Sequence, residues 1–175
     1  NIVSLVDGEV IESAFPGTIR GLAGTSDSNA VCVWRADPVQ WFVGALGDSG
    51  RHHAALGTDS LFPPVLGDLN HDGMLEAVVT NVAGWLWALE TPGFTVLPGF
   101  PVELGAIPSA SPVLADLDRD GHLEIIAAAG GRLYAYAYTG ALIPNFPAVI
   151  GPVNSPDSVT GSPSVSDFGN SGRLS

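Results

Sequence analysis

Cysteine is almost missing from this chain of 175 residues. The single one, Cys32, excludes an intrachain disulfide and a thiolate metal cage, and its setting, "AVCVW", reads as a structural position in a strand. Basic residues are nearly as scarce: six Lys and Arg stand against eighteen Asp and Glu, a formal net charge of −12. No basic patch can form to meet phosphates, which excludes nucleic acid as a partner. No apolar run reaches the ~18 residues of a membrane span, so no membrane insertion is expected. Helical periodicity is lacking too, because Gly or Pro interrupts every segment in which apolar residues recur at i, i+3, i+4 and i+7. No signal peptide is visible and the chain starts at Asn1 without methionine, which reads as a processed chain or an excerpt.

What is abundant is glycine (22) and proline (14), in a chain that is 46% hydrophobic with a mean hydropathy of +0.30. That mixture suits a packed domain of many short strands joined by tight turns, and the length suits one core. Internal repetition gives the strands an order. "LFPPVLGDLNHDGMLEAVV" begins at 61, "SASPVLADLDRDGHLEIIA" at 109 and "TGSPSVSDFGNSGRLS" at 160, with Pro64, Pro112 and Pro163 in equivalent places 48 and 51 residues apart. Alternating runs follow, "GWLWALE" and "GRLYAYAY", then a turn and an apolar segment ending in Phe-Pro at 100–101 and 146–147. The N-terminal "IVSLVDGEVIESAFPGTI" matches the back half of this unit, and 21–60 holds one more, with "GLAG", "NAVCVW" and "VQWFVGAL" as strands.

Each unit reads as about four strands in roughly 45 residues, too few to bury both sheet faces alone, so neighbours must stack. The predicted fold is all-β: a β-propeller of four-stranded antiparallel blades at 1–20 (partial), 21–60 (divergent), 61–107, 108–157 and 158–175 (partial). Three whole blades with two fragments suggest a piece of a larger ring, of about seven blades. Ala135 and Ala137 suit one face of a packed sheet; Trp87, Tyr134 and Tyr136 fall on the opposite face, as inter-blade core or else as a stacking platform for a ligand.

Seven carboxylates are concentrated in two loops. The first sets Asp68, Asn70 and Asp72 at alternate positions, then Gly73, the main chain of Met74, and Glu76; the second repeats this with Asp116, Asp118, Asp120, Gly121, the main chain of His122, and Glu124. Calcium takes six to eight oxygens from such groups, and glycine at the sixth position permits the bend that gathers them. The loop is shorter than an EF-hand and no helix pattern flanks it, which excludes that motif. The alternative is a metal-free Asp-Gly turn whose side chains cap backbone amides. Two copies in register favour the cation, since carboxylates this close repel one another without one. A third loop, "DFGNSGRLS", keeps Asp167 and Gly172 but has Gly169, Ser171 and Ser175 at ligand positions, so it should bind calcium weakly or not at all.

The D-x-[DN]-x-D-G-x-L-E loop, flanked by apolar strands and followed by Phe-Pro, resembles the FG-GAP/VCBS repeats, a family that includes the integrin α-subunit propeller and many bacterial secreted or surface proteins. The likeness covers 61–175 and part of 1–20. It implies a β-propeller, calcium between the first two strands of a blade, and an extracellular or cell-surface setting. The family commonly has Asp at the ninth position, where this chain has the longer Glu76 and Glu124. Leu75 and Leu123 are expected to anchor the loops to the core.

Other motifs carry less. "GDSG" at 47–50, near His52 and His53, lacks the geometry that defines a catalytic triad, and the histidine pair has no third ligand at useful spacing. "LVDGEVI" counts only toward fold, and Asn154-Ser155-Pro156 is not a glycosylation site. Nothing pairs a nucleophile with a base, so the chain reads as non-enzymatic. The expected function is that of a calcium-stabilised scaffold or adhesion module with a protein or glycan ligand on the propeller face. The alternatives are a carbohydrate-binding propeller, stacking sugar on Trp34, Trp41, Trp85 or Trp87, and a non-catalytic propeller attached to a secreted enzyme.

Overall fold

The computed structural model describes residues 54–57, 61–151 and 161–165 in full, and the backbone of the strands that precede them. All its regular elements are β-strands; no helix occurs among the described residues. β1 (Ile2–Val6) and β2 (Glu9–Ser13) form an antiparallel hairpin. β3 (Gly17–Ala23), β4 (Val31–Ala36), β5 (Gln40–Ala45) and β6 (His53–Ala55) form a four-stranded antiparallel meander, with a register shift between Ile19 and Gly21. β7 (Val65–Gly67), β8 (Glu76–Thr80), β9 (Trp85–Glu90) and β10 (Val102–Glu103) make the second such sheet. β11 (Val113–Ala115), β12 (Glu124–Ala129), β13 (Arg132–Tyr136) and β14 (Ala148–Val149) make the third.

The second and third sheets are built alike because their turns are. Glu90 N–H to Thr95 carbonyl, Leu97 to Ala88, Phe100 to Leu97 and Leu104 to Gly84 recur as Ala137 to Ala141, Ile143 to Ala135, Phe146 to Ile143 and Ile150 to Gly131. Phe100-Pro101 and Phe146-Pro147 are both cis, and β10 and β14 begin just after them. The turn after β9 is one residue longer than the turn after β13, yet the flanking bonds are the same. The hairpins at the other end differ in chemistry. Gly130 and Gly131, with φ of 56° and 76°, close the two-residue β12–β13 turn, where both residues need a positive φ. In the second sheet the Asn81 side chain does this work, its Oδ1 accepting from the N–H groups of Ala83 and Trp85.

Strands β8 and β12 are buried along their whole length, so both faces of each sheet are covered. On one face of the second sheet Ala77, Val79, Trp87 and Leu89 pack with Leu56 and Leu61, next to β6. On the other, Val78, Leu86 and Ala88 pack with Ile125, Ala127, Tyr134 and Tyr136 of the third. The sheets therefore stack face to face, each buried Leu, Ile or Val contributing about 1.5–3 kcal/mol. Tyr134 and Tyr136 lie in the core between the second and third sheets, and Trp87 lies in the cluster on the opposite face of the second sheet. First strands also meet: β7 lies beside β11, and Ser111 Oγ donates to the Pro63 carbonyl, one repeat back, at 2.8 Å. At one corner two backbones touch through glycine, where Gly99 (φ 90°) packs on Thr139 and Gly140.

Candidate functional site

The two acidic loops join β7 to β8 and β11 to β12, at the same end of adjacent sheets. Their backbones repeat: His71 and Arg119 at the fourth position have φ of 62° and 67°, and Gly73 and Gly121 at the sixth have 86° and 95°. Alternate side chains hold that curve from inside. In the first loop Gly73 N–H donates to Asp68 Oδ2 (3.1 Å), Asp72 N–H to Asn70 Oδ1 (3.0 Å) and Met74 N–H to Asp72 Oδ1 (2.7 Å). In the second, Gly121 donates to Asp116 Oδ2 (3.1 Å), Asp120 to Asp118 Oδ1 (3.1 Å) and His122 to Asp120 Oδ1 (2.8 Å). Glu76 and Glu124 reach back across the loops, accepting from Leu69 N–H and Leu117 N–H at 2.7 Å each.

These bonds leave carboxylate oxygens over. Asp68 Oδ1 and Glu76 Oε1 are buried without a partner, and Glu76 is 0% exposed. An orphaned buried acceptor costs about 1–3 kcal/mol, more when charged, and a hard cation is the natural partner for an anionic oxygen. In the second loop Asp116, Asp118 and Asp120 each offer an oxygen within 4.8 Å of the others. Oxygens bound to one ion at 2.3–2.6 Å lie at most about 5 Å apart, so this triad can hold a metal ion. Burial pushes the carboxyl groups of Glu76 and Glu124 above the ordinary range, and the charges of Asp72 and Asp68, or of Asp118, Asp120 and Asp116, push the same way against the backbone bonds. Without a cation the folded state therefore holds these protons more tightly than the unfolded state, so ionising Glu76 at neutral pH costs stability. Glu76→Gln keeps an acceptor for Leu69 N–H and removes the charge. In chelator it should stabilise the protein by about 1–3 kcal/mol, raising the melting temperature by several degrees. In calcium it should lower it, and paired melts read both signs.

The structure brings each predicted ligand residue into one of these loops, and adds contacts that the sequence did not reveal. The residue that fixes the first loop to the core is Leu69, 0% exposed, whereas Leu75 is half-buried and held through its carbonyl by Thr91 Oγ1 at 2.6 Å. Leu123 does pack against the inter-sheet core. His71 and His122 meet between the loops with ring centroids 4.9 Å apart, and His122 stacks on Tyr138 at 4.8 Å. Leucine at the second position of both loops was a usable signal for the anchor; the histidines fall at positions the motif leaves free. The third loop around Asp167 and the side chains of Cys32, Trp34, Trp41, His52 and His53 lie outside the described residues. Comparison of the chain with known protein-family profiles and with curated proteins finds no match.

Proposed function

We propose that this chain is part of a calcium-stabilised β-propeller of the FG-GAP/VCBS kind, serving as a non-catalytic scaffold or adhesion module outside the cell. The observation that carries the reading is the pair of acidic loops with matching turns, one with buried, unpartnered carboxylate oxygens and the other with three carboxylates close enough to share an ion. Face-to-face stacking of four-stranded meanders supports the propeller, because radial stacking continues that packing around an axis. Asp68, Asn70, Asp72, the Met74 main chain and Glu76 would hold one ion; Asp116, Asp118, Asp120, the His122 main chain and Glu124 would hold the other. The ion would neutralise crowded carboxylates and tie the first inter-strand loop of each blade, a structural role.

Calcium stoichiometry tests this residue by residue. Asp72→Ala and Asp120→Ala should each lower the number of bound ions by one while the β circular-dichroism signal persists, and Asp167→Ala should leave the number unchanged. Two ions retained in either of the first two variants, or one lost in the third, would show the ligands to be misassigned.

A carbohydrate-binding propeller is the second reading, and one observation favours it. Trp85 is 37% exposed, at the end of β9, opposite Glu103 of β10 in the register. An aromatic face beside a carboxylate suits a sugar ring and its hydroxyls. A glycan array without a hit at millimolar sugar would remove it.

A further inference from the structure

We infer that the two acidic loops work as one coupled pair, with His122 as the link, so that a cation held by either loop tightens the other. This rests on the calcium reading above and adds a relation between the sites. Leu69 is fixed in three ways. Its side chain is 0% exposed in the inter-sheet core, its N–H donates to Glu76 Oε2 at 2.7 Å, and its carbonyl lies 3.4 Å from His122 Nδ1. A carbonyl only accepts, so this contact, at the long end of a hydrogen bond, is one in the tautomer that has the proton on Nδ1. His122 is also the seventh residue of the second loop, and its own N–H donates to Asp120 Oδ1. A continuous chain of contacts thus runs from Asp120 through His122 and the Leu69 backbone to Glu76. The return path is steric: His71 of the first loop lies over Gly121 of the second, where an added Cβ would sit 3.2 Å from His71 Cε1. Tyr138, stacked on His122, limits where that ring can go.

An ion that fixes Asp120 and the chain at 122 fixes the root of the His122 ring, and with it the Leu69 peptide that aims Glu76. Linkage requires that the first loop act on the second by the same factor. Charge works against this, since a dication in one loop weakens the pull of the other, but that effect is screened over about 8 Å at physiological salt and contact coupling is not.

The test is calorimetric titration of the 175-residue chain with calcium chloride at 0.15 M and at higher salt. Disabling the second loop with Asp120→Ala should weaken the first about fivefold, and disabling the first with Asp72→Ala should weaken the second by the same factor. In a His122→Phe background, which keeps the stack on Tyr138 but cannot donate to Leu69, that dependence should vanish. His122→Gln should restore it. Two ions bound with affinities indifferent to the other loop would overturn the coupling and leave the calcium reading intact. No bound calcium at all would overturn both. Should His122→Phe fail to fold, His122→Leu, which cannot donate to Leu69 either, takes its place.

Discussion

Stripping calcium with a chelator should lower the melting temperature by about 10–20 °C, and calcium should restore it better than magnesium. Each site filled at a hundredfold excess over its Kd stabilises the native state by about 2.7 kcal/mol, and two sites by about twice that. In a chain of this size each kcal/mol moves the transition by about 2–4 °C. The structural reason lies in the loops themselves. Without an ion, Glu76 stays buried with one carboxyl oxygen unpartnered, and oxygens of Asp116, Asp118 and Asp120 crowd within 4.8 Å of one another. Magnesium insists on near-ideal octahedral geometry at about 2.0–2.1 Å and gives up its waters reluctantly, so a crowded irregular cage serves it poorly. Scanning calorimetry with elemental analysis checks this; an unchanged transition in protein shown to be metal-free would sink the metal reading.

Gly99→Ala is the other change with a large expected effect, and it is independent of any ion. A Cβ at Gly99 would overlap the Thr139 carbonyl, which is backbone and cannot swing aside, and φ at this residue is 90°, where L side chains are strained. Overpacking costs about 1–3 kcal/mol and the left-handed conformation about 1–2 more. The melting temperature should fall by about 5–15 °C. Gly93→Ala is the control: the nearest atom to its added Cβ is Thr95 Oγ1 at 3.7 Å, and the expected change is within about 0.5 kcal/mol. Equal melts for the two variants would mean that the corner between the second and third sheets is not packed as described.

The parts of this structure that the sequence made legible are those governed by local pattern. Alternation in "GWLWALE" and "GRLYAYAY" leads directly to β9 and β13, and the spacing of Asp116, Asp118 and Asp120 to three oxygens within 4.8 Å of one another. β10 and β14 are harder to see, because strands of two residues have no period. Leu69 was hidden for another reason. Sequence gives the anchor position as leucine in both Leu75 and Leu69, and only the stacking of the third sheet decides which is buried. His71 and His122 were invisible as partners, since they lie 51 residues apart and meet only when adjacent sheets align.

The unequal turns after β9 and β13 bear on how such a protein could be engineered. The longer one, through Pro92 and Gly93, makes room for its extra residue while the hydrogen bonds on either side stay as they are in its shorter counterpart. The shorter one is clamped, because Gly140 lies against the backbone of Gly99. The longer turn is anchored differently, by Phe94, 4% exposed in the core, and by Thr91 Oγ1 on the Leu75 carbonyl. Neither turn is therefore a free place for a reporter: an epitope tag spliced between Pro92 and Gly93 would dislodge Phe94 from the core, and the same cargo beside Gly140 would pry two sheets apart.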